Sequence, residues 1–99
     1  MESFIFKYPA GKKIAQRGHI GVVGSGDLEI LIEPTGNNET EFIVRTASDG
    51  FRQVWQAVFE RFVALNDIDA KITLNDFGAT PGVVSLRLAQ VLEIVNNTK

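Results

Sequence analysis

The residues best suited to chemistry in this chain are Gly24-Ser25-Gly26-Asp27, which lie between two apolar-rich runs, Ile14–Val23 and Leu28–Glu33. A serine between two glycines at the tip of a hairpin has an unobstructed hydroxyl, because neither neighbour carries a side chain and both can adopt a positive φ. That hydroxyl is open to chemical modification. The same tetrapeptide is also typical of a simple turn, since glycine, serine and aspartate dominate turns for conformational reasons.

Catalysis by Ser25 itself is not expected. A nucleophilic serine needs a base and an oxyanion hole, and the chain has one histidine, His19, six residues before Ser25. In a hairpin that turns at residues 24–26, His19 lies about five residues down one arm, roughly 15 Å from Ser25 at about 3.3 Å per residue. One histidine with scattered carboxylates also does not make a metal site. We therefore predict no catalytic residue and no metal.

Two further groups of charged residues are candidates for contacts. Lys12, Lys13 and Arg17 form a small basic group that could lie near the hairpin and contact a partner, although a solvated turn explains it as well. Arg87 lies among apolar neighbours in a predicted helix, where it could pair with Asp76 or reach a partner.

Composition sets the class of protein. We expect the 99 residues to form one domain, residues 1–99, with one core. Apolar residues are 44% and charged residues 22% of the chain, which is typical of a soluble globular protein. The net charge of −2 argues against a nucleic-acid partner, and the absence of cysteine excludes disulfides and thiolate zinc sites. Apolar runs are far shorter than the ~20 residues of a membrane span, and no signal-peptide pattern is present, so we expect a cytoplasmic protein without a membrane.

A period of two in the apolar residues predicts strands at Phe4–Tyr8, Leu28–Glu33, Glu41–Thr46 and Ile68–Leu74. A weaker, glycine-rich pattern predicts another strand within Ile14–Val23. Four of these strands precede the first predicted helix, and we expect them to form an antiparallel meander in chain order: Phe4–Tyr8, the strand within Ile14–Val23, Leu28–Glu33 and Glu41–Thr46.

The period then changes to about 3.6. One apolar stripe predicts a first helix, with Ser48 or Asp49 as its N-cap, and we expect the sheet to cover that stripe. Its members are Phe51, Val54, Trp55, Val58, Phe59, Phe62 and Val63. Thr80-Pro81 predicts the start of a second helix that runs nearly to Lys99. The order of elements predicts an α+β fold, a two-layer sandwich of an antiparallel sheet with both helices packed on one face.

With these residues laid out, the sequence resembles the acyl carrier (delta) subunits of biotin-independent malonate decarboxylases. The resemblance runs over essentially the whole chain and is carried by three segments. These are Tyr8-Pro9-Ala10-Gly11, the run from Gly21 to Glu29 that contains Gly24-Ser25-Gly26-Asp27, and Asp76-Phe77-Gly78-Ala79-Thr80-Pro81-Gly82 leading into Arg87. The gamma chain of citrate lyase is similar more distantly, in a Ser-Gly-Asp before an alternating strand, but its serine lies closer to the N-terminus and its C-terminal tail has no counterpart here.

The resemblance implies that Ser25 is joined through a phosphodiester to the prosthetic group phosphoribosyl-dephospho-CoA, with Gly24, Gly26 and Asp27 as the supporting hairpin. It further implies a carrier that holds acetyl and malonyl thioesters and performs no catalysis itself. The implied partners are the acyl transferase and decarboxylase subunits of malonate decarboxylase and the transferase that attaches the prosthetic group. Asp27 and the basic group Lys12, Lys13 and Arg17 are the contacts that we expect for the arm or that transferase.

Other functions remain open on the sequence. One is the acyl carrier of a citrate lyase-type complex, and a second is a non-catalytic, ferredoxin-like protein-binding module whose hairpin carries nothing. A small serine hydrolase is the least supported, because no base is expected near Ser25.

Overall fold

The computed structural model describes residues 1–21 and 24–96 and contains five strands and two helices. They are β1 (Glu2–Pro9), β2 (Gly18–Gly21), β3 (Leu28–Pro34), β4 (Glu39–Thr46), α1 (Arg52–Leu65), β5 (Ala70–Asp76) and α2 (Pro81–Asn96). The predicted α+β order is confirmed. Val22 and Val23 of the predicted second strand lie outside the described residues, and so do residues 97–99, within which the second helix is predicted to end. Neither helix, as far as it is described, has the length and apolar character needed to cross a membrane.

The strands form one sheet in the order β1-β4-β5-β3-β2. Three of the four pairings are antiparallel, and the pairing of β4 with β5 is parallel. The predicted meander is therefore wrong, and the sheet is mixed rather than wholly antiparallel. The physical reason is that α1 carries the chain back across the sheet, which lets β5 enter between β4 and β3 and run parallel to β4. The order of elements also differs from the β-α-β-β-α-β order of a ferredoxin-like domain.

Both helices pack on one face of the sheet, as predicted. One row of this face crosses all five strands through Phe6, Phe42, Ile72, Ile32 and Gly18. Phe59 of α1 stacks on Phe42 with the ring centroids 4.0 Å apart. At the other end of the row α2 approaches Gly18 so closely that a Cβ there would lie 2.8 Å from Cγ1 of Val95. Each fully buried large apolar side chain in this layer stabilises the fold by about 1.5–3 kcal/mol.

Helix α1 begins later than the sequence predicts. Its N-cap position is Phe51, which forms no side-chain cap, so the prediction of Ser48 or Asp49 as the cap is wrong. Gly50 adopts a φ of 85° and turns the chain just before the helix, while the backbone N–H of Ser48 donates to Oγ1 of Thr46 instead of belonging to the helix. Ser48 is thus bonded within the segment that precedes the helix, and Asp49 pairs with the N-terminal amino group.

The predicted stripe of α1 is only partly covered. Trp55, Phe59 and Phe62 are buried, but Phe51 is 51% exposed and Val54 is 39% exposed. The start of α2 matches its prediction, because Oγ1 of Thr80 accepts the backbone N–H of Val83 at 3.3 Å.

The two ends of the sheet carry different loops. At one end Leu28 of β3 lies opposite Asp76 of β5, which in turn lies beside Thr46 of β4. We call this end the Asp76 end. At the other end Ala70 lies between Pro34 and Thr40, and the buried Asp69 carboxylate accepts backbone N–H groups of the 34–39 turn. The loop that precedes β3, which includes Ser25, therefore belongs to the Asp76 end.

Candidate functional site

Ser25 occupies a tight turn at the Asp76 end of the sheet. The backbone N–H of Asp27 donates to the carbonyl oxygen of Gly24 at 3.2 Å, which closes a four-residue turn around Ser25 and Gly26. Gly26 has a φ of 78°, the positive value that the third position of a type II turn requires and that favours glycine there. Ser25 and Gly26 are both exposed. The predicted exposure of Ser25 at a turn is thus confirmed.

The turn is braced by the segment that follows β5. The N–H of Gly26 donates to the carbonyl oxygen of Phe77 at 2.8 Å, and the N–H of Phe77 donates to the carbonyl oxygen of Asp27 at 2.9 Å. The next residue, Gly78, has a φ of 101°, and a Cβ at this position would lie 3.7 Å from the nitrogen of Gly26. Two backbone hydrogen bonds therefore fix Gly26 and Asp27, while Ser25 stays exposed.

A bidentate ion pair holds the turn from the side of α2. Arg87 donates from Nε to Oδ1 of Asp27 at 3.2 Å and from Nη2 to Oδ2 at 2.7 Å. Asp27 also accepts the N–H of Leu28 at 2.7 Å. The hydrogen bond from Arg87 contributes most to lowering the pKa of Asp27, and the N–H of Leu28 adds to it. Asp27 is therefore a positioning residue of the turn, and the predicted pairing of Arg87 with Asp76 is wrong.

We expect the substitution Arg87→Gln to raise the pKa of Asp27 toward its ordinary value of 3.8. A lowered carboxyl pKa stabilises the fold above the ordinary value, and that contribution is lost as the pH falls through the folded pKa. The ion pair is thus complete at neutral pH in the wild type and disappears only in acid below about pH 3.8. Carbon-13 NMR titration of the Asp27 carboxyl measures the change.

Arg17→Gln is the matched control for this titration, because Arg17 pairs with Glu33 near the opposite end of β3 and should leave Asp27 unaffected. An Asp27 pKa that is the same in Arg87→Gln and the wild type would contradict the assigned pair.

Asp76 has a structural partner of its own. Its Oδ2 accepts the hydroxyl of Thr46 at 2.8 Å, and its Oδ1 accepts the N–H of Ala79 at 2.9 Å. Thr46 and Asp76 are both buried, so these bonds satisfy polar groups that would otherwise destabilise the core. They join the ends of β4 and β5 directly beneath the segment that braces the turn.

A cavity of about 310 Å³ opens beside this brace, between the first turns of α1 and α2. We call it the Phe51 pocket. The residues that line it include Phe51, Val54, Trp55 and Val84, together with Gly78 and Thr80. The exposed apolar residues of α1 therefore line a defined cavity next to the Ser25 turn.

His19 and the basic group do not join the turn. Nε2 of His19 lies 2.9 Å from Oε2 of Glu29, and this contact is the largest cause of the lowered pKa of Glu29. Lys12 accepts the N–H of Asp69 through its carbonyl oxygen, Lys13 forms a β-bridge with Asp69, and Arg17 pairs with Glu33. All three basic residues therefore lie away from the Asp76 end, so the prediction that they lie near the hairpin is wrong.

Sequence reasoning missed two contacts that hold the turn: the pair between Asp27 and Arg87, and the brace at Phe77. A single arginine among the apolar residues of α2 was a signal that Arg87 has a specific partner. The identity of that partner depends on sheet order, which local patterns do not encode.

Comparisons with known proteins agree on one family. A sequence model of the family described as "Malonate decarboxylase delta subunit (MdcD)" matches residues 15–95. A malonate decarboxylase acyl carrier protein of Azotobacter vinelandii is 46% identical over 98 residues, which cover 98% of this chain and 99% of the relative. One of Pseudomonas paraeruginosa is 47% identical over 94 residues, which cover 94% of this chain and 95% of the relative.

A solved structure shows the same fold. A chain in the crystal structure of a Pseudomonas malonate decarboxylase hetero-tetramer in complex with malonate superposes with a TM-score of 0.90 at 44% identity. The match covers 96% of this chain and 99% of that chain.

Proposed function

Because the chain belongs to the malonate decarboxylase delta subunit family and is an acyl carrier subunit of that enzyme, we propose that Ser25 is its point of covalent loading. The group that we propose is phosphoribosyl-dephospho-CoA, joined to the Ser25 hydroxyl through a phosphodiester. The observation that supports this most directly is the exposed serine at the tip of a turn that two backbone hydrogen bonds to Phe77 brace. The family match makes a citrate lyase-type complex the less supported alternative.

The residues around Ser25 fit such an attachment. Gly24 and Gly26 carry no side chains, and a Cβ built at Gly26 would meet no heavy atom within 4 Å. A modifying enzyme therefore has room to reach the hydroxyl, and a bulky group has room to leave the turn. Phe77 and Arg87 bond to Gly26 and Asp27 and not to the hydroxyl of Ser25, so attachment at that hydroxyl replaces none of these bonds.

In this proposal the chain holds and positions the prosthetic group. When attached, the prosthetic group supplies a thiol that can form thioesters with acyl groups. Ser25 tethers the group, Asp27 and Arg87 hold the orientation of the turn, and Gly26 keeps the tip open. Among the described residues no histidine or carboxylate is hydrogen-bonded to the Ser25 hydroxyl, so we propose that the modifying transferase supplies the base for attachment.

A tethered carrier explains why a non-catalytic subunit is useful in a decarboxylase. A flexible arm fixed at one point makes encounters with neighbouring active sites intramolecular, at effective concentrations of the order of mM. We propose that the acyl transferase and decarboxylase subunits of a cytoplasmic complex are these neighbours. The similar structure is that of a hetero-tetramer, which supports an assembly of several subunits.

Intact-mass spectrometry of the protein purified from its native host tests the proposal. We expect a mass above 10.9 kDa by the mass of the prosthetic group, and a peptide map that places the whole increment on Ser25. An unmodified mass from cells that are decarboxylating malonate, or an increment on another residue, would overturn the proposal.

We expect Asp27→Asn to slow prosthetic-group attachment several-fold without unfolding the domain. Asparagine keeps the shape of the side chain but loses the charge that Arg87 binds, so the turn is held less firmly in the orientation that the transferase meets. The rate of mass gain with purified transferase measures the effect. Asp67→Asn, at an exposed bond to Gly11, serves as the control, and an unchanged rate for Asp27→Asn would remove Asp27 from the site.

A further inference from the structure

The position of the Phe51 pocket relative to the attachment point suggests what it binds. Gly78 lines the pocket, and the same residue lies against Gly26, the neighbour of Ser25. A group tethered to Ser25 is therefore held close to the pocket at an effective concentration of the order of mM. Even a weak contact is populated under these conditions.

We propose that the Phe51 pocket binds the adenine ring of the prosthetic group attached to Ser25. The identity of the ligand rests on the function proposed above. The pocket would then anchor the nucleotide part of the arm on the carrier and leave the thiol end free to reach other subunits.

The size of the pocket suits one rigid ring system. Ligand pockets usually measure about 300–1,000 Å³, so a cavity of about 310 Å³ is at the small end of that range. It cannot enclose a whole nucleotide arm. A single base is the largest rigid part of the arm that it can hold.

The walls of the pocket match a flat aromatic ring. Phe51 and Val54 keep 51% and 39% of their surface exposed, and the described part of the chain leaves them uncovered. An aromatic side chain offers a face on which a base can stack. Thr80 accepts the N–H of Val83, and within residues 1–21 and 24–96 its hydroxyl proton has no acceptor, so that proton is able to donate to a ring nitrogen.

Other parts of the arm fit the pocket less well. Phosphates and a malonyl carboxylate are charged, and an apolar cavity with the carboxylate of Asp76 in its wall disfavours further negative charge. The pantetheine segment is flexible and would lose conformational freedom on binding. Adenine is neutral, planar and rigid, so its binding neither buries a charge nor restricts a flexible chain.

The first experiment uses the unmodified protein and free probes. Dephospho-CoA, which contains adenine, and pantetheine, which lacks it, are titrated into isotope-labelled protein, and NMR shifts are followed at Phe51 and Val54. We expect dephospho-CoA to shift both residues and pantetheine to shift neither. Equal shifts from the two probes, or none from dephospho-CoA, would overturn the proposal.

Variants make the titration specific. Phe51→Ala should weaken dephospho-CoA binding at least about fivefold, the lower end of the effect of removing one stacked aromatic ring. Val54→Gln tests the same wall at a second exposed position, in case the first variant folds poorly. Leu65→Ala is the control, because Leu65 is a 79% exposed residue at the other end of α1 and does not line the pocket. Equal affinities for Phe51→Ala and Leu65→Ala, both folded, would overturn the proposal.

The second experiment uses the loaded protein. We expect nuclear Overhauser effects between the adenine H2 or H8 proton and the side chains of Phe51 and Val54. A carrier with the full mass increment but without these effects would overturn the pocket assignment and leave the proposed function standing. A carrier without the increment would overturn the proposed function, while the free-probe titration would still decide what the pocket binds. Shifts at Phe51 that appear only on addition of partner subunits would reassign the pocket to a protein interface and overturn the proposal.

Discussion

Replacing Ser25 by alanine is expected to reduce malonate decarboxylation by the assembled enzyme to the background of a mixture that lacks the carrier. The substitution removes the one hydroxyl at the tip of the braced turn, and with it the proposed site of the phosphodiester. Because Ser25 is exposed, the free energy of unfolding should change by no more than about 0.5 kcal/mol. The measurement is carbon dioxide release from malonate by the reconstituted complex, with the mass of the carrier recorded in parallel.

Two variants sharpen this test. Ser3→Ala removes an exposed serine from β1 and should leave both loading and decarboxylation at the wild-type level. Ser25→Thr keeps a hydroxyl but adds a methyl group beside it, so loading should be slower and not absent. Decarboxylation at the wild-type rate with the Ser25→Ala carrier would refute the assignment of Ser25.

The second large effect is on stability. We expect Gly21→Ala to lower the free energy of unfolding by about 3 kcal/mol or more, because the residue combines a φ of 91° with a direct overlap between the new Cβ and the backbone carbonyl of Leu28. Gly21 pairs with Glu29 at the end of β2, just before the loop to Ser25. For a domain of about 100 residues this corresponds to a fall in the melting temperature of about 12–24 °C. Thermal and denaturant unfolding measure the loss.

Gly36→Ala separates the cost of the positive φ from the cost of the overlap with Leu28. Gly36 also has a positive φ, 72°, but a Cβ there would meet nothing within 4 Å. We expect a loss of about 1–2 kcal/mol, which is the cost of the left-handed backbone alone. If Gly21→Ala cost no more than Gly36→Ala, the close approach of Gly21 to Leu28 would be unimportant for stability.

The faces of the strands and the start of α2 were predictable because they depend on neighbours in sequence. Alternation places Leu28, Ile30 and Ile32 on one face of β3, and all three are buried. Thr80 and Pro81 begin a helix through contacts within one turn, and the observed bond to Val83 is such a contact.

The errors have a different origin. The meander was wrong because a crossover through α1 places β5 between β3 and β4, and no residue pattern within β3 or β4 encodes that insertion. The sequence predicts that the sheet covers the whole stripe of α1, yet Phe51 and Val54 stay partly exposed while Phe59 is buried. Periodicity identifies which residues share a face, but the extent of the opposing surface depends on the whole fold.

The sequence by itself determined that Ser25 is exposed in a turn between two strands, because glycine, serine and aspartate specify such a turn through local backbone conformation. Only the tertiary structure decided what holds that turn. Asp27 and Arg87 are 60 residues apart, and they meet because β5 and α2 return the chain to the Asp76 end of the sheet. Contacts of that kind depend on strand order, which is set by the free energy of the whole core and not by any local segment.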